Sequence, residues 1–288
     1  MSSSPHENEL CNGSQVSDIA TRRCAGQVRG ILRPDCLITL GVYASQIINM
    51  PYEYRGQAYN PTSGEYYADR MEAARKKIED LIALNQRVPT RLSEVDGEWE
   101  LILSTVPHGI FRSSPFFLAI QEAYKQGGEL EKAELFFKLH ELQTCSWGVS
   151  KVGRVAQFIN STDNTLVSEF DTSIFSLTVI PILGWFKLLP TFGGCVITVS
   201  KANMSETGVI NLEVEYTTSK PVQGLPGLGE FIWRRKVPVN AIWKLLPWNR
   251  GRPPVCQVTT KYLDEDFRVM EDVSGQYFVY SRPVCPRP

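Results

Sequence analysis

From residue 153 to residue 282 the sequence is a succession of short segments in which apolar and polar side chains alternate. This period of two constrains the fold more than any other feature. Val209–Thr217 is the clearest case: Ile210, Leu212, Val214 and Tyr216 take one face, and Asn211, Glu213 and Glu215 take the other. Such a strand is buried on one side and wet on the other. Gly153–Asn160, Thr165–Thr172, Cys195–Ser200, Val255–Leu263, Phe267–Glu271 and Gln276–Arg282 carry related signals, and Glu98–Thr105 alternates loosely around Trp99, Leu101 and Leu103. Turn formers punctuate the series at Ser161–Asn164, Asn203–Gly208 and Asp272–Gly275. About eight short strands without a βαβ rhythm predict a mainly β fold, either a closed antiparallel barrel or a sandwich.

Helical spacing precedes Gly153. Met71, Ala74, Ile78, Leu81 and Ile82 recur at a period near 3.6 over residues 66–86, with charged residues opposite and Pro89 as a stop. A helical insertion follows the first strand: Phe116–Lys125, a Gly127-Gly128 break, then Glu129–Leu142. Residues 1–60 are weakly patterned apart from a short element near Leu37–Ile48, and are expected to form an extension. The domain proper is expected over 61–285, with its barrel over 96–285.

Charge and composition exclude several classes. Lys and Arg number 30 against 31 Asp and Glu, a formal net charge of -1, which removes the bulk basicity of a nucleic-acid binder. Three histidines, and seven cysteines with no C-x-x-C pair, give no zinc pattern, so no cofactor or metal is expected. The cysteines read as free thiols of a chain able to bury its own core. The apolar run Ile174–Val199 is long enough to span a membrane, but Pro181, Gly184, Pro190, Gly193 and Gly194 interrupt it. Two strands joined by an apolar loop fit it better than a spanning helix. No secretory signal occurs at the N-terminus; its serines and arginines accompany Glu7, Glu9 and Asp18, a poor transit peptide.

Catalytic constellations are not evident. Gly148–Gly153 has one residue too many for a nucleophile elbow, and Gly224–Gly229 resembles a phosphate loop only in composition. His108 reads as a loop residue and His140 as part of a packed helix. Asp264-Glu265-Asp266 reads as a solvated turn rather than an acid/base site. The chain is therefore expected not to be an enzyme; a lipid-acting barrel using His108, His140 or Asp266 is the weakest alternative.

Binding signals are stronger. Trp185-Phe186-Lys187 and Trp243-Lys244, with Trp248, sit in two similar runs of aromatic, lysine, two leucines and proline. Indole rings favour the hydrocarbon–water boundary, and lysine can snorkel from it. Between residues 230 and 254 six basic residues face one acid, which would attract anionic headgroups. Membrane contact and the covering of a barrel end both fit these runs. Phe170, Ile197, Leu212, Val214 and Tyr216 would line a barrel interior, either as solid core or around an apolar guest.

A family resemblance rests on particular residues. Gly97-Glu98-Trp99-Glu100-Leu101, Phe111-Arg112-Ser113-Ser114-Pro115-Phe116-Phe117, Leu166-Val167 with Glu169-Phe170, Thr260–Val269 and Gly275–Tyr280 resemble the plastid lipid-associated (fibrillin) family. The likeness spans roughly residues 66–282 and is most specific at its C-terminal end. It implies a lipocalin-like barrel at thylakoids or plastoglobules, associated with carotenoids, quinones or other neutral lipids, and no catalytic residues. In a lipocalin-like barrel the tryptophan of Gly-x-Trp sits at the closed end under an arginine, here Trp99 and Arg268, with Asp264 or Asp266 as charge partner. That clamp predicts that Arg268→Ala destabilises the fold more than it impairs lipid binding. A scaffold that recruits a protein partner such as a lipid-pathway enzyme, through Arg112–Phe117 and the exposed aromatic loops, is the alternative.

Overall fold

Eight of the alternating segments pair into one antiparallel sheet whose first and last strands meet. The structure, a computed structural model, describes residues 65–85, 87–106, 109–145, 152–172, 176–179, 188–191, 194–220, 236–246 and 249–283. Its strands are β1 (Gly97–Ser104), β2 (Val152–Asn160), β3 (Thr165–Thr172), β4 (Ser176–Val179), β5 (Leu188–Thr191), β6 (Gly194–Met204), β7 (Val209–Lys220), β8 (Val255–Leu263), β9 (Phe267–Asp272) and β10 (Tyr277–Ser281). The order β1-β10-β9-β8-β7-β6-β3-β2 closes on itself, because β1 pairs both β10 (Leu101 opposite Tyr280) and β2 (Trp99 opposite Gln157). Closure removes the free edges that an open sheet would expose. Within the segment tested as a membrane span, β4 and β5 pair with each other apart from the ring, Ser176 opposite Thr191 and Val179 opposite Leu188, and the last residues begin β6. Among the described residues no helix is long and apolar enough to cross a membrane.

Alternation sorts the side chains onto two faces. Leu101, Val155, Ile159, Leu166, Ala202, Ile210, Leu212, Cys256, Val258, Met270 and Phe278 join one continuous core inside the ring. The opposite faces of β1, β8, β9 and β10 carry Ile102, Tyr262, Phe267, Val269 and Val279, a second core under helix α1 (Glu65–Ala83). Ile78 and Leu81 of α1 are fully buried against it. The helix ends three residues before the expected limit, at Ala83, where Leu84 and Asn85 donate to carbonyls three residues back and tighten the last turn. Two side chains fix it on the sheet. Arg75 donates to the Gly275 carbonyl at 2.9 Å and to Gln276 Oε1 at 2.7 Å, and Asn85 Nδ2 donates to the Lys261 carbonyl at 2.7 Å.

Bulges decide which residues face inward. Thr260 opposes Met270 but Tyr262 opposes Val269, so Lys261 is an extra residue that turns Tyr262 outward. Ser200 opposes Val214 but Val199 opposes Tyr216, so Glu215 is extra in the same way.

Three helices, α2 (Gly109–Arg112), α3 (Pro115–Gln126) and α4 (Leu130–Cys145), follow β1 and pack across one end of the barrel. Pro115 stands at the first position of α3, where its missing N–H costs nothing and its fixed φ suits the helix. The buried face of α3 carries Phe117, Leu118, Ile120 and Gln121. At the other end, a 3-10 turn (Leu92–Val95) buries Leu92 and Val95 beside Trp99. The last described helix, α5 (Val239–Leu245), lies on β7 through Val239, and Asn240 Nδ2 donates to Glu213 Oε1 at 2.6 Å.

Candidate functional site in the barrel interior

The antiparallel order leaves the two barrel ends chemically different. At the helical end, Phe111 meets Phe117 and Phe170 edge-on, with ring centroids 5.9 and 5.4 Å apart. Phe136 and Phe137 of α4 extend this cluster against Phe117. Such edge-to-face pairs each contribute about 0.5–1.5 kcal/mol beyond area burial. Arg112 is buried there. It makes a two-pronged pair with Glu134 at 2.9 and 2.8 Å, and it lies 4.4 Å over the Phe137 ring. Gln121 Nε2 links α3 to the barrel by donating to Asp272 Oδ2 at 3.2 Å.

This arrangement bears on one of the two surfaces of the partner-docking alternative. Arg112, Ser113, Ser114, Pro115 and Phe117 are buried and Phe116 is half-buried, so Arg112–Phe117 forms the barrel lid and offers no open docking surface. The reason is local: the Ser-Ser-Pro start of α3 turns the chain into the barrel mouth. Ser113 there accepts from Gln157 Nε2 at 3.3 Å through its carbonyl, and Ser114 Oγ donates to Thr198 Oγ1 at 3.5 Å.

At the opposite end Trp99 is fully buried, and its indole N–H donates to the Val95 carbonyl at 2.8 Å. Two guanidinium groups lie over its ring, Arg282 at 3.7 Å and Arg268 at 5.0 Å from the centroid. Arg282, which the sequence reading did not single out, is the closer and also donates to the Glu98 carbonyl at 3.3 Å. The sole sequence signal for it was its place directly after the last apolar strand. Asp266 and Asp96 are the carboxylates that act on Arg282, whereas the titratable neighbours of Arg268 are the neutral Tyr280 and the cation Arg282. Asp264 accepts from the Tyr262 hydroxyl at 2.7 Å and from the Asp266 and Phe267 N–H groups at 2.8 and 2.6 Å. It therefore shapes the β8–β9 turn and does not reach Arg268 as a charge partner.

Arg268 projects inward between Leu263 and Tyr280, and it is completely buried. Its Nη2 donates to Gln157 Oε1 at 2.6 Å, its plane lies 4.6 Å over Tyr280, and its Nε and Nη1 have no acceptor. Burial, chiefly, and the nearby Arg282 charge pull its pKa down to about 9, so it stays protonated at neutral pH. Burial likewise pushes the Tyr280 hydroxyl up to about 12 despite the Arg268 charge, so it stays neutral. Gln157 Nε2 also donates to Tyr280 Oη at 2.9 Å, which ties the three side chains together.

The sequence-derived cavity residues divide between two faces. Phe170, Leu212 and Val214 lie in the interior core. Ile197 is buried but shares the outward face of β6 with Val199 and Lys201, and Tyr216 is turned outward by the Glu215 bulge. Tyr216 lies under Lys236, 4.5 Å from its ring centroid.

Of the expected membrane-contact residues, Trp243 is half-buried with its ring 6.5 Å from Phe116, and Lys244 is exposed. Leu245, beside them, is 81% exposed. Trp185, Phe186, Lys187, Trp248, His108, the side chain of His140, the element near Leu37–Ile48, the extension 1–60 and the Gly224–Gly229 loop lie outside the described residues. Among the described residues no group of three or more His, Cys, Asp and Glu is placed to hold a metal.

Compared with protein-family models, with curated proteins and with solved structures, the chain matches none.

Proposed function

We propose that this chain is a lipocalin-like protein of the plastid lipid-associated (fibrillin) type. It holds a neutral, isoprenoid or acyl lipid and works at plastid membranes or lipid droplets rather than as an enzyme. The observation that carries this reading is the closed ring of eight strands whose interior presents Phe170, Leu212 and Val214 beneath a lid of phenylalanines. Small closed barrels of this strand number either fill their lumen with side chains or hold one small guest. The residues behind the family resemblance converge on the same machinery. Gly97 and Trp99 form the closed end with Arg282, while Phe111–Phe117 forms the lid.

The decisive experiment is native mass spectrometry of protein purified from its own source. A retained mass that chloroform extraction identifies as carotenoid, quinone or acyl lipid is expected. A bare protein that also fails to take up any of these three from detergent micelles overturns the reading.

Contact with a lipid surface is the second part of the proposal. It is favoured by the exposed pair Lys244 and Leu245 at the end of α5, beside the half-buried Trp243. Replacing Trp243 and Trp248 together is expected to weaken binding to vesicles containing anionic lipid. Unchanged co-sedimentation removes the membrane-contact role and leaves the lumen reading intact.

A further inference from the structure

The interior is not uniformly apolar. A polar row crosses it. Tyr280 stands opposite Arg268 between β10 and β9, and Gln157, whose side chain bonds both, stands opposite Ser168 between β2 and β3. Ser168 in turn stands opposite Thr198 of β6. Elsewhere the inward positions are mostly aliphatic or aromatic, with the small hydroxyls of Ser104, Ser200 and Thr260 among them.

Several groups in and beside this row have no hydrogen-bond partner. These are Nε and Nη1 of Arg268, the hydroxyls of Ser168 and Ser200, and Oγ1 of Thr260. All four residues are buried, Arg268 completely. Buried polar groups are nearly always paired, and a buried cation with neither a carboxylate nor a full set of acceptors is the costliest exception. Arg268 has a single acceptor, the neutral Gln157 Oε1; its other neighbours are the faces of Trp99 and Tyr280 and the second cation, Arg282. The charge that suits this position is negative, and the donors presented to it are N–H groups of a guanidinium, which favour oxygen anions.

We infer that Arg268 is the recognition point for an acidic end group on the lumenal ligand, a carboxylate on an otherwise apolar chain. This narrows the lipid-binding reading to its acyl class and rests on it. The apolar wall receives the hydrocarbon, and the buried guanidinium selects molecules that end in an anion over those that end in a hydroxyl or ester. The Trp99 face, Tyr280 and Gln157 hold the guanidinium plane, so its unpartnered N–H groups are fixed before a ligand arrives.

The test compares oleate, oleyl alcohol and acetate by displacement of a fluorescent apolar probe from the full chain. Oleate is expected to bind at least about tenfold more tightly than the alcohol, with acetate displacing nothing, and the ratio is expected to collapse in Arg268→Met. Equal affinity for acid and alcohol overturns the inference while leaving lipid binding intact. Binding of neither long-chain molecule overturns the inference and the acyl-lipid part of the reading, and leaves carotenoid and quinone to the mass-spectrometric test. Thermal stabilisation by acetate equal to that by oleate reassigns the site to a small anion and overturns the acyl part. If Arg268→Met fails to fold, the carbon-13 resonance of carboxyl-labelled oleate on the unaltered protein decides. A carboxyl that remains ionised well below the free acid's midpoint supports the guanidinium contact, and one that titrates as in vesicles refutes it.

Discussion

Gly97 opens the first barrel strand with φ at +101°, and a Cβ placed on it would stand 2.7 Å from Nη1 of Arg282. Gly97→Ala therefore carries two costs. An alanine held at that positive φ costs about 1–3 kcal/mol in backbone strain. The methyl also displaces a guanidinium that lies 3.7 Å from the Trp99 centroid and donates to the Glu98 carbonyl at 3.3 Å. Because Arg282 is only half-buried, the lost stacking falls in the lower part of the range of about 0.5–2 kcal/mol. The expected total is about 2–4 kcal/mol, read by urea denaturation followed by circular dichroism, or as a fall in Tm of roughly 5–15 °C. The reasoning is checked by a double-mutant cycle. With Arg282→Met already in place the clash partner is gone, so Gly97→Ala is expected to cost about 0.5–1 kcal/mol less than in the parent. A cost below about 1 kcal/mol for the single variant, or strict additivity of the pair, refutes the claim that Gly97 exists to seat Arg282 on Trp99.

Two further outcomes follow from the buried polar groups. Arg112→Met is expected to cost about 1.5–3 kcal/mol by chemical denaturation, because it strips charged hydrogen bonds from a fully enclosed position; Glu134→Gln, on the half-exposed side of the same pair, is expected to cost under about 1 kcal/mol, and equal losses would contradict this asymmetry. Burial first, and then the Asp264 carboxylate that accepts its hydroxyl proton, raise the pKa of Tyr262 above its ordinary 10.0, so the unfolded chain loses that proton before the folded one does. Stability from this group is full below pH 10 and falls as pH rises beyond it; the loss in urea midpoint between about pH 9 and about pH 11 should be shallower in Tyr262→Phe, and an unchanged slope would rule the linkage out.

Much of the frame was legible because period-two alternation reports directly on a sheet with one buried face. Val255–Leu263 was bounded as observed, and the Pro and Gly residues of 174–199 correctly favoured a hairpin over a spanning helix. What alternation alone could not supply was the location of single-residue insertions. Tyr216 looks continuous with Leu212 and Val214 in sequence, yet Glu215 is a bulge, and every side chain beyond it changes face. Ile197 is apolar and buried, but its neighbours on the pleat place it on the outward face of β6 rather than in the lumen. The arginine clamp was half legible. Arg268 does lie over Trp99, but the nearer cation is Arg282, which reaches the ring from beyond the end of β10. That contact joins residues far apart in the chain, and no local pattern encodes it. The loneliness of Arg268 was likewise hidden, since two acidic residues sit close by in sequence but act elsewhere.

The pairing of β1 with β10 has a kinetic meaning. These strands lie almost a domain's length apart, so their union carries the largest loop-closure penalty in the barrel and belongs among its late folding events. Until that join is made, the nascent sheet presents two bare borders of N–H and C=O groups to any neighbouring polypeptide. Crowded, half-folded copies of this chain will therefore tend to stitch to one another along that line, and a helper that shields it during synthesis would raise the yield of native protein without altering its final stability.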